Sequence, residues 1–243
     1  MYRPGKRLSV AYDILRLPRV PRPLRAVIFA IAVPLLAPYL ITPFYAVVEP
    51  VSTVMLWREF TGQRMQRQYV PLSRISPALM LAVIVAEDGR FCTHYGVDFA
   101  EIRDAVADAD GLDDMRGGST ITQQVAKNLF LWPGRNWLRK VLEFPLALWI
   151  DLVLSKRRIL EIYLNIAEWG PNGEFGAEAG SRYAFGKPVR DLSHYQAALM
   201  AAALPNPHDR NTHAPGPGLR RLAGLYAARS ARSPSATACI RTP

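Results

Sequence analysis

The chain has 243 residues, half of them hydrophobic, which is enough to form the core of one sizeable domain and excludes a disordered protein. Lys and Arg outnumber Asp and Glu by 30 to 20, giving a net charge of +10 at pH 7. Such a basic excess indicates a polyanionic partner, either nucleic acid or an anionic membrane. Its position argues against nucleic acid, because residues 1–25 alone hold seven basic residues and a single acidic one, Asp13.

This basic segment precedes an uncharged apolar stretch, residues 26–48. As a helix rising about 1.5 Å per residue, the stretch would extend about 34 Å, enough to cross a hydrocarbon core of about 30 Å. Three internal prolines weaken this interpretation, and a buried core helix or a signal peptide are the alternatives. Since no small-residue cleavage site is evident, we predict an uncleaved anchor, with residues 1–25 cytoplasmic and the chain from Glu49 onward outside the cytoplasm.

The first helix predicted after the anchor ends in two carboxylates. Residues 49–76 show no helical pattern. Ser76 then forms a cap before a first-turn proline, and the apolar run that follows predicts a helix ending at Glu87 and Asp88. A carboxylate pair at the end of an apolar helix is either a solvated helix end or a catalytic acid or base.

Two more helices are predicted over residues 99–109 and 119–131, separated by a flexible acidic loop, residues 110–118. The second has a buried stripe of apolar residues spaced by four: Ile121, Val125 and Leu129. Its opposite side carries short hydrogen-bonding groups and one cation: Ser119, Gln123 and Lys127. Such a face is either an ordinary solvated surface or a site for sugar hydroxyls and phosphate.

The next helix carries a second group of charges. Arg139 and Glu143 are four residues apart and share one face, with Lys140 near its edge. An ion pair within the helix is the commoner explanation of this spacing. Because Lys127 and Arg135 add two more cations to the same region, the positive charge is sufficient to hold a diphosphate.

The remaining elements are also helical. Pro145 should kink or divide the long helical stretch 137–165. Residues 174–186 and 193–204 predict two further helices, and no run of alternating polarity predicts a strand, so the domain should be mainly α. From Ala214 the composition shifts to Pro, Gly, Ser, Ala and Arg, which predicts a flexible tail over 214–243.

The two cysteines, Cys92 and Cys239, are too few for a disulfide framework, and their spacing gives no reason to pair them. We therefore expect both to be incidental. The four histidines are too scattered for a zinc site, and no metal site is predicted.

Four segments occur in the order and at about the spacing of the peptidoglycan glycosyltransferase domain: AEDGRFCTHYGVDF, GGSTITQQVAKNLFL, RKVLE and KRRILEIYLNIAEWG. Over about residues 50–210 the chain resembles the monofunctional biosynthetic transglycosylases of that family. The resemblance implies a mainly α, lysozyme-like glycosyltransferase domain over 49–213, preceded by one transmembrane helix. It also implies a small membrane-associated jaw near 128–150.

The resemblance further implies a role for each matching residue. Glu87 would be the general base and Glu143 the second essential carboxylate, with Arg135 an added phosphate contact. The residues implied to bind or surround the substrate are Asp88, Phe91, His94, Ser119, Thr120, Gln123, Gln124, Lys127, Asn128, Arg139 and Lys140. Glu161, Tyr163 and Asn165 match a motif whose role is mainly architectural.

The implied reaction transfers a lipid-linked glycan to the 4-hydroxyl of the N-acetylglucosamine of lipid II and releases undecaprenyl diphosphate, at the inner membrane of a bacterium. Cations would replace a general acid, because a diphosphate departs readily once its charge is neutralised. No cofactor is obligatory, although Mg²⁺ or Mn²⁺ at the diphosphate and protein partners in cell-wall synthesis remain open. The alternatives are a lytic enzyme that uses Glu87 as an acid and a non-catalytic protein that binds lipid II or glycan.

Overall fold

The computed structural model describes residues 21–107, 118–134 and 136–241, in two compact units that divide after Leu40. Helix α1 (Arg22–Ile41) continues as a 3₁₀ turn (Thr42–Ala46). The segment Arg22–Ala46 has a mean hydropathy of 2.1 and is long and apolar enough to cross a membrane. The chain therefore has one N-terminal helix with the properties of an anchor. Most of the predicted basic segment, residues 1–20, lies outside the described residues.

The second unit, Ile41–Pro243, is mainly α, as predicted. Its helices are α2 (Thr53–Phe60), α3 (Pro77–Glu87), α4 (Phe99–Ala107), α5 (Ile121–Phe130), α6 (Trp137–Val153), α7 (Lys156–Ile166), α8 (Ala177–Phe185), α9 (His194–Ala203), α10 (Pro217–Arg232) and α11 (Ala238–Arg241). Two short strands, β1 (Gln66–Arg67) and β2 (Glu174–Phe175), pair in parallel. Helix α2 was not predicted, because eight residues are too few to establish a period.

Helix α3 lies in the core and ends at the site. Val83 and Ile84 have no exposed surface, and the helix is apolar on nearly every side, which is typical of a helix surrounded by others. It packs against α9 and α10. The predicted side-chain cap is wrong, since the Ser76 hydroxyl donates to the carbonyl oxygen of Leu192 instead. Glu87 is the last residue of this helix.

Pro145 lies inside α6 and does not divide the helical stretch, whereas a kink at this residue, the other predicted effect, stays a prediction. A proline interior to a helix removes the bond to the carbonyl four residues earlier, here that of Val141. Val141 is 57% exposed, so this part of α6 lies at the surface of the domain. The stretch breaks instead between α6 and α7, where the Ser155 hydroxyl caps α7 by accepting a hydrogen bond from the Arg158 backbone N–H.

The prediction of a flexible tail over 214–243 is also wrong, because α10 and α11 occupy most of it. One face of α10 repeats apolar residues with a helical period: Leu219, Leu222, Ala223 and Tyr226. This face packs against Leu199, Ala202 and Ala203 of α9. The C-terminal helices are therefore part of the domain that contains Glu87.

The two cysteines are not incidental, since Cys92 and Cys239 form a disulfide. Cys92 lies in the loop that follows Glu87, and Cys239 lies in α11. Nearby, Arg157 Nη1 of α7 donates to the carbonyl oxygen of Ile240 at 3.0 Å. Together, these bonds fix the C-terminal end of the chain to the loop beside the site.

Replacing both cysteines by serine is expected to lower the free energy of unfolding by about 2–5 kcal/mol, because the bond restricts the unfolded chain between residues 147 apart. Urea unfolding of the full chain in detergent would measure the change. Reduced wild-type protein, as the matched control, should unfold at the same urea concentration as the double variant. Equal midpoints for the oxidised wild type and the double variant would contradict a stabilising role.

Candidate active site

Glu87 lies half-buried at the end of α3, where its Oε2 accepts a hydrogen bond from Gln124 Nε2 of α5 at 2.9 Å. Burial raises the pKa of the Glu87 carboxyl above its usual value. The hydrogen bond from Gln124 and the charges of Lys127 and Arg210 oppose this rise, whereas the charge of Asp88 adds to it. Glu87 is thus a desolvated carboxyl with compensating positive charge nearby.

Gln124 is held in one orientation by Tyr163 of α7. The Tyr163 hydroxyl donates to Gln124 Oε1 at 3.1 Å, which directs the Gln124 amide N–H₂ group towards Glu87. Burial raises the pKa of the Tyr163 phenol well above its usual value, so the phenol remains a donor. Tyr163, which belongs to a motif expected to be mainly architectural, therefore also contributes to the surroundings of Glu87.

Asp88 and His94 form a buried pair behind Glu87. His94 Nε2 lies 2.9 and 3.0 Å from the two carboxylate oxygens of Asp88. Asp88 Oδ2 also accepts a hydrogen bond from the backbone N–H of Ile121 at 2.9 Å, at the start of α5. The two side chains are only 2% and 7% exposed, so the pair is almost fully shielded from solvent and connects the loop after Glu87 to the start of α5.

Thr120 and Gln123 form a capping box at the start of α5, in which each side chain accepts a hydrogen bond from the backbone N–H of the other residue. The Thr120 hydroxyl also donates to the carbonyl oxygen of Gly96 at 2.6 Å. Gln123 is 1% exposed, so the expectation that it lies on a wet side of the helix is wrong. The hydrogen-bonding capacity of both side chains is used within the protein.

Two basic side chains and one buried carboxylate lie close together at the start of α6. Arg139 and Lys140 both pair with Glu143, whose side chain is 3% exposed, and Lys140 Nζ lies 2.6 Å from Glu143 Oε1. Arg139 Nε donates to the carbonyl oxygen of Gly134 at 2.9 Å. Lys140 Nζ also donates to the exposed Ser119 Oγ at 2.9 Å. The predicted ion pair within the helix is confirmed, and it leaves Lys140 half-exposed.

Lys127 of α5 interacts electrostatically both with Glu87 and with the charged side chains at the start of α6. Burial lowers the pKa of the Lys127 ammonium, and the carboxylates of Glu143 and Glu87 partly offset that effect. Arg139 and Lys140 lower the pKa of Lys127 further through their own charges. We call Lys127, Arg139 and Lys140 the cation cluster.

An arginine outside the cation cluster also acts on Glu87. Arg135, predicted as a phosphate contact, lies outside the described residues. Arg210, which was not predicted, lies in the loop after α9, donates to the carbonyl oxygen of Ala202 at 2.7 Å and lowers the pKa of Glu87. Nothing in its sequence neighbourhood distinguishes Arg210 from an ordinary loop arginine.

Phe91 and Asn128 occupy supporting positions. The Phe91 ring has no exposed surface and lies 4.6 Å from Lys156 Nζ, so it shapes the loop after Glu87 from within the core. The carbonyl oxygen of Asn128 accepts a hydrogen bond from Thr53 Oγ1 of α2 at 3.1 Å. The half-buried Asn128 thus connects α5 to α2.

A large apolar surface lies beside the end of α5. Trp132, Trp137 and Val141, within the predicted jaw, are 43%, 77% and 57% exposed. Helix α2 extends the surface with Trp57 and Phe60, which are 63% and 88% exposed. A cavity of about 580 Å³ opens between the two regions, lined by Thr53, Trp57, Phe130, Leu131, Trp132 and Pro133. The jaw was implied by the family resemblance, whereas the contribution of α2 was missed.

Within residues 21–107, 118–134 and 136–241, no group of three or more His, Cys, Asp or Glu side chains is arranged to hold a metal ion. The side chains of the cation cluster are not metal ligands. Both carboxylate oxygens of Glu143, which lies beside the cluster, accept hydrogen bonds from its cations, Arg139 and Lys140.

The sequence is similar to known proteins over most of its length. The family model described as Transglycosylase matches residues 54–223. A Biosynthetic peptidoglycan transglycosylase of Nitrobacter hamburgensis is 56% identical over 220 residues, which cover 90% of this chain and 97% of the relative. A protein of the same name from Nitrobacter winogradskyi is 60% identical over 81% of this chain and 87% of its own length. Another, from Rhizobium johnstonii, is 48% identical over 90% of each chain.

Proposed function

The chain belongs to the transglycosylase family, and we propose that Glu87 and the cation cluster divide between them the two tasks of its reaction. The protein is a peptidoglycan glycosyltransferase that polymerises glycan chains in cell-wall synthesis. Its substrate is lipid II together with the growing lipid-linked glycan. The observation that carries the proposal is the position of Lys127, which interacts electrostatically with Glu87 and with Glu143.

The first task is to make the incoming sugar nucleophilic. Glu87, in its ionised form, removes the proton from the 4-hydroxyl of the acceptor N-acetylglucosamine. That oxygen then attacks the anomeric carbon of the lipid-linked N-acetylmuramic acid, and the linkage formed has inverted configuration, β-1,4. Gln124 holds the carboxylate in place through its hydrogen bond, and Tyr163 holds Gln124.

The second task is to stabilise the leaving group. The departing undecaprenyl diphosphate gains negative charge as the glycosidic bond breaks, and fixed cations stabilise such charge most effectively in a desolvated site. Lys127, Arg139 and Lys140 supply these cations, and we add Arg135 from its place in the sequence. Glu143 acts as the second essential carboxylate by keeping Arg139 and Lys140 together.

We assign no reaction step to a metal ion. A divalent cation such as Mg²⁺ or Mn²⁺ would be held chiefly by the diphosphate oxygens, since the cation cluster offers no oxygen ligands. Ser119 lies at the edge of the site, and its hydroxyl oxygen accepts a hydrogen bond from Lys140 Nζ.

The raised pKa of Glu87 favours one alternative, a lytic enzyme in which this carboxyl acts as an acid. A lytic enzyme has to assist a poor alkoxide leaving group, and for that it needs a protonated acid but no cluster of cations. The cations around Glu87 both favour its ionised form and suit a diphosphate. The geometry therefore favours the polymerase.

We propose that the catalytic domain lies on the periplasmic side of the bacterial inner membrane. The basic residues before α1 favour a cytoplasmic N-terminus. The Cys92–Cys239 disulfide supports the same orientation, because such bonds persist in oxidising compartments. The exposed aromatic residues of α2 and α6 suit contact with the membrane interface, where the lipid substrate resides.

Incubating the full chain in detergent with labelled lipid II tests the function. We expect β-1,4-linked polymer and one undecaprenyl diphosphate released for each bond formed. The lytic alternative predicts instead that purified, lipid-free peptidoglycan is cleaved. A protein that only binds lipid II would release no undecaprenyl diphosphate.

A further inference from the structure

Asp151 of α6 joins three segments that are far apart in the sequence. Its side chain is 4% exposed. Asp151 Oδ2 accepts hydrogen bonds from the backbone N–H of Gly96 at 2.7 Å, from Thr122 Oγ1 at 3.1 Å and from Lys156 Nζ at 2.6 Å. One buried carboxylate oxygen is therefore bonded to the loop after Glu87, to α5 and to α7.

Each of these segments carries part of the site. Gly96 lies two residues after His94, in the loop that begins at Asp88. Thr122 is in the first turn of α5, two residues before Gln124. Helix α7, which starts at Lys156, also carries Tyr163, the residue that orients Gln124.

Asp151 also lies on the same side of α6 as Arg139 and its partner Glu143. Arg139, Glu143, Ala147 and Asp151 follow one another at intervals of four, so they lie along one side of α6. The loop rests directly on this side, because a Cβ on Gly96 would meet the Ala147 carbonyl oxygen at 2.5 Å. Gly96 has φ +74°, a left-handed conformation suited to glycine.

We propose that Asp151 is a positioning residue for glycan polymerisation, which fixes the placement of the general base relative to the cation cluster. The inference rests on the proposed function. Asp151 touches neither substrate nor Glu87; it acts by fastening the loop and α5, which surround Glu87, to the helix that holds Arg139 and Lys140. Lys156 assists by supplying the positive charge that a buried carboxylate requires.

Replacing Asp151 by Asn tests this role. The amide retains the shape of the side chain but loses the charge and one acceptor, so the three segments are held less firmly. Misplacement of reacting groups by about 1 Å can cost about 100-fold in rate. We expect kcat per folded molecule to fall by at least about 10-fold, while KM for lipid II stays within about twofold.

Glu178 provides a matched control, because it is a buried carboxylate of α8, a helix that contributes no site residue. It accepts hydrogen bonds from the Val189 backbone N–H and from Arg182 Nε, both at 2.8 Å. Glu178→Gln should destabilise the protein without changing kcat per folded molecule. If Asp151→Asn also leaves kcat within twofold of wild type, the positioning role is overturned.

A second, smaller substitution, Thr122→Val, tests the inference even if the Asp151→Asn variant does not fold. Thr122→Val removes one of the three bonds and should lower kcat several-fold without a matching rise in KM. Thr237→Val, which removes a buried hydroxyl bonded to the Pro234 carbonyl oxygen, is its control. Equal kcat values for these two valine variants would overturn the inference. If the wild-type protein did not polymerise lipid II, the proposed function on which this inference rests would also be wrong.

Discussion

Replacing Glu87 by Gln is expected to preserve the fold and to slow lipid II polymerisation by at least the contribution of a positioned general base, which is typically about 10²- to 10⁴-fold. The amide keeps the shape of the side chain but cannot accept the proton of the acceptor hydroxyl. Because Glu87 is half-buried at the end of α3 and bonded on one side by Gln124, a neutral side chain of equal size should be tolerated. Undecaprenyl diphosphate release from labelled lipid II measures the loss.

A matched control for this variant is Glu59→Gln, at an exposed position of α2. Its polymerisation rate should remain within about twofold of wild type, because surface substitutions away from a site have small effects. Both variants should have the circular dichroism spectrum of the wild type. Near-normal turnover by Glu87→Gln would refute the assignment of the base.

The same assignment fixes the direction of the pH dependence. A general base must be ionised, so kcat/KM falls as the pH decreases through the pKa of Glu87 in the free enzyme. Burial raises that pKa, so the fall should occur at a higher pH than the ordinary glutamate value of about 4.3. The residual activity of Glu87→Gln should not show this decrease at low pH, which we call the acid limb of the profile.

Replacing Lys127 by Met is expected to lower kcat by about 10²- to 10³-fold, the usual cost of removing one preorganised group from a charged transition state. Met preserves most of the buried stem of the lysine, so packing should change little. The variant loses the cation that interacts with both Glu87 and Glu143. The rate of undecaprenyl diphosphate release at saturating lipid II gives kcat.

Lys187→Met serves as the control, since Lys187 lies in the loop after α8, apart from the cation cluster. It should polymerise lipid II at the wild-type rate. If Lys127→Met raised KM and left kcat unchanged, Lys127 would contribute only to substrate binding. Stabilisation of the leaving group would then have to come from other residues.

The sequence was most informative where a local pattern determines the structure. The apolar run after Ser76 correctly predicted a helix ending at Glu87 and Asp88, which are its last residue and its C-terminal cap. The i, i+4 spacing correctly predicted the pairing of Arg139 with Glu143. Both depend on helical geometry alone, which fixes the relative positions of residues a few places apart.

Two errors came from local signals that were present but not used. Thr120 and Gln123 have the spacing of a capping box, as Ser193 and Gln196 do, and applying this rule would have assigned the Gln123 side chain to the start of α5 instead of to a solvated face. Leu219, Leu222, Ala223 and Tyr226 have a helical period that the Pro- and Gly-rich composition around them obscured.

Other features depend on tertiary contacts that no local pattern contains. The Cys92–Cys239 bond requires α11 to lie against the loop after Glu87. Asp151 gives no sign in the sequence that it receives bonds from Gly96, Thr122 and Lys156. These contacts follow from the packing of α5, α6 and α7 against one another.

The most direct test of the division of tasks is the pH dependence of kcat/KM in the wild type and in Lys127→Met. The charge of Lys127 lowers the pKa of Glu87, so its removal should raise that pKa and move the acid limb to higher pH. The limb of the Lys187→Met control should stay in place. An acid limb of Lys127→Met at the wild-type pH, or below it, would contradict the coupling of Glu87 to the cation cluster.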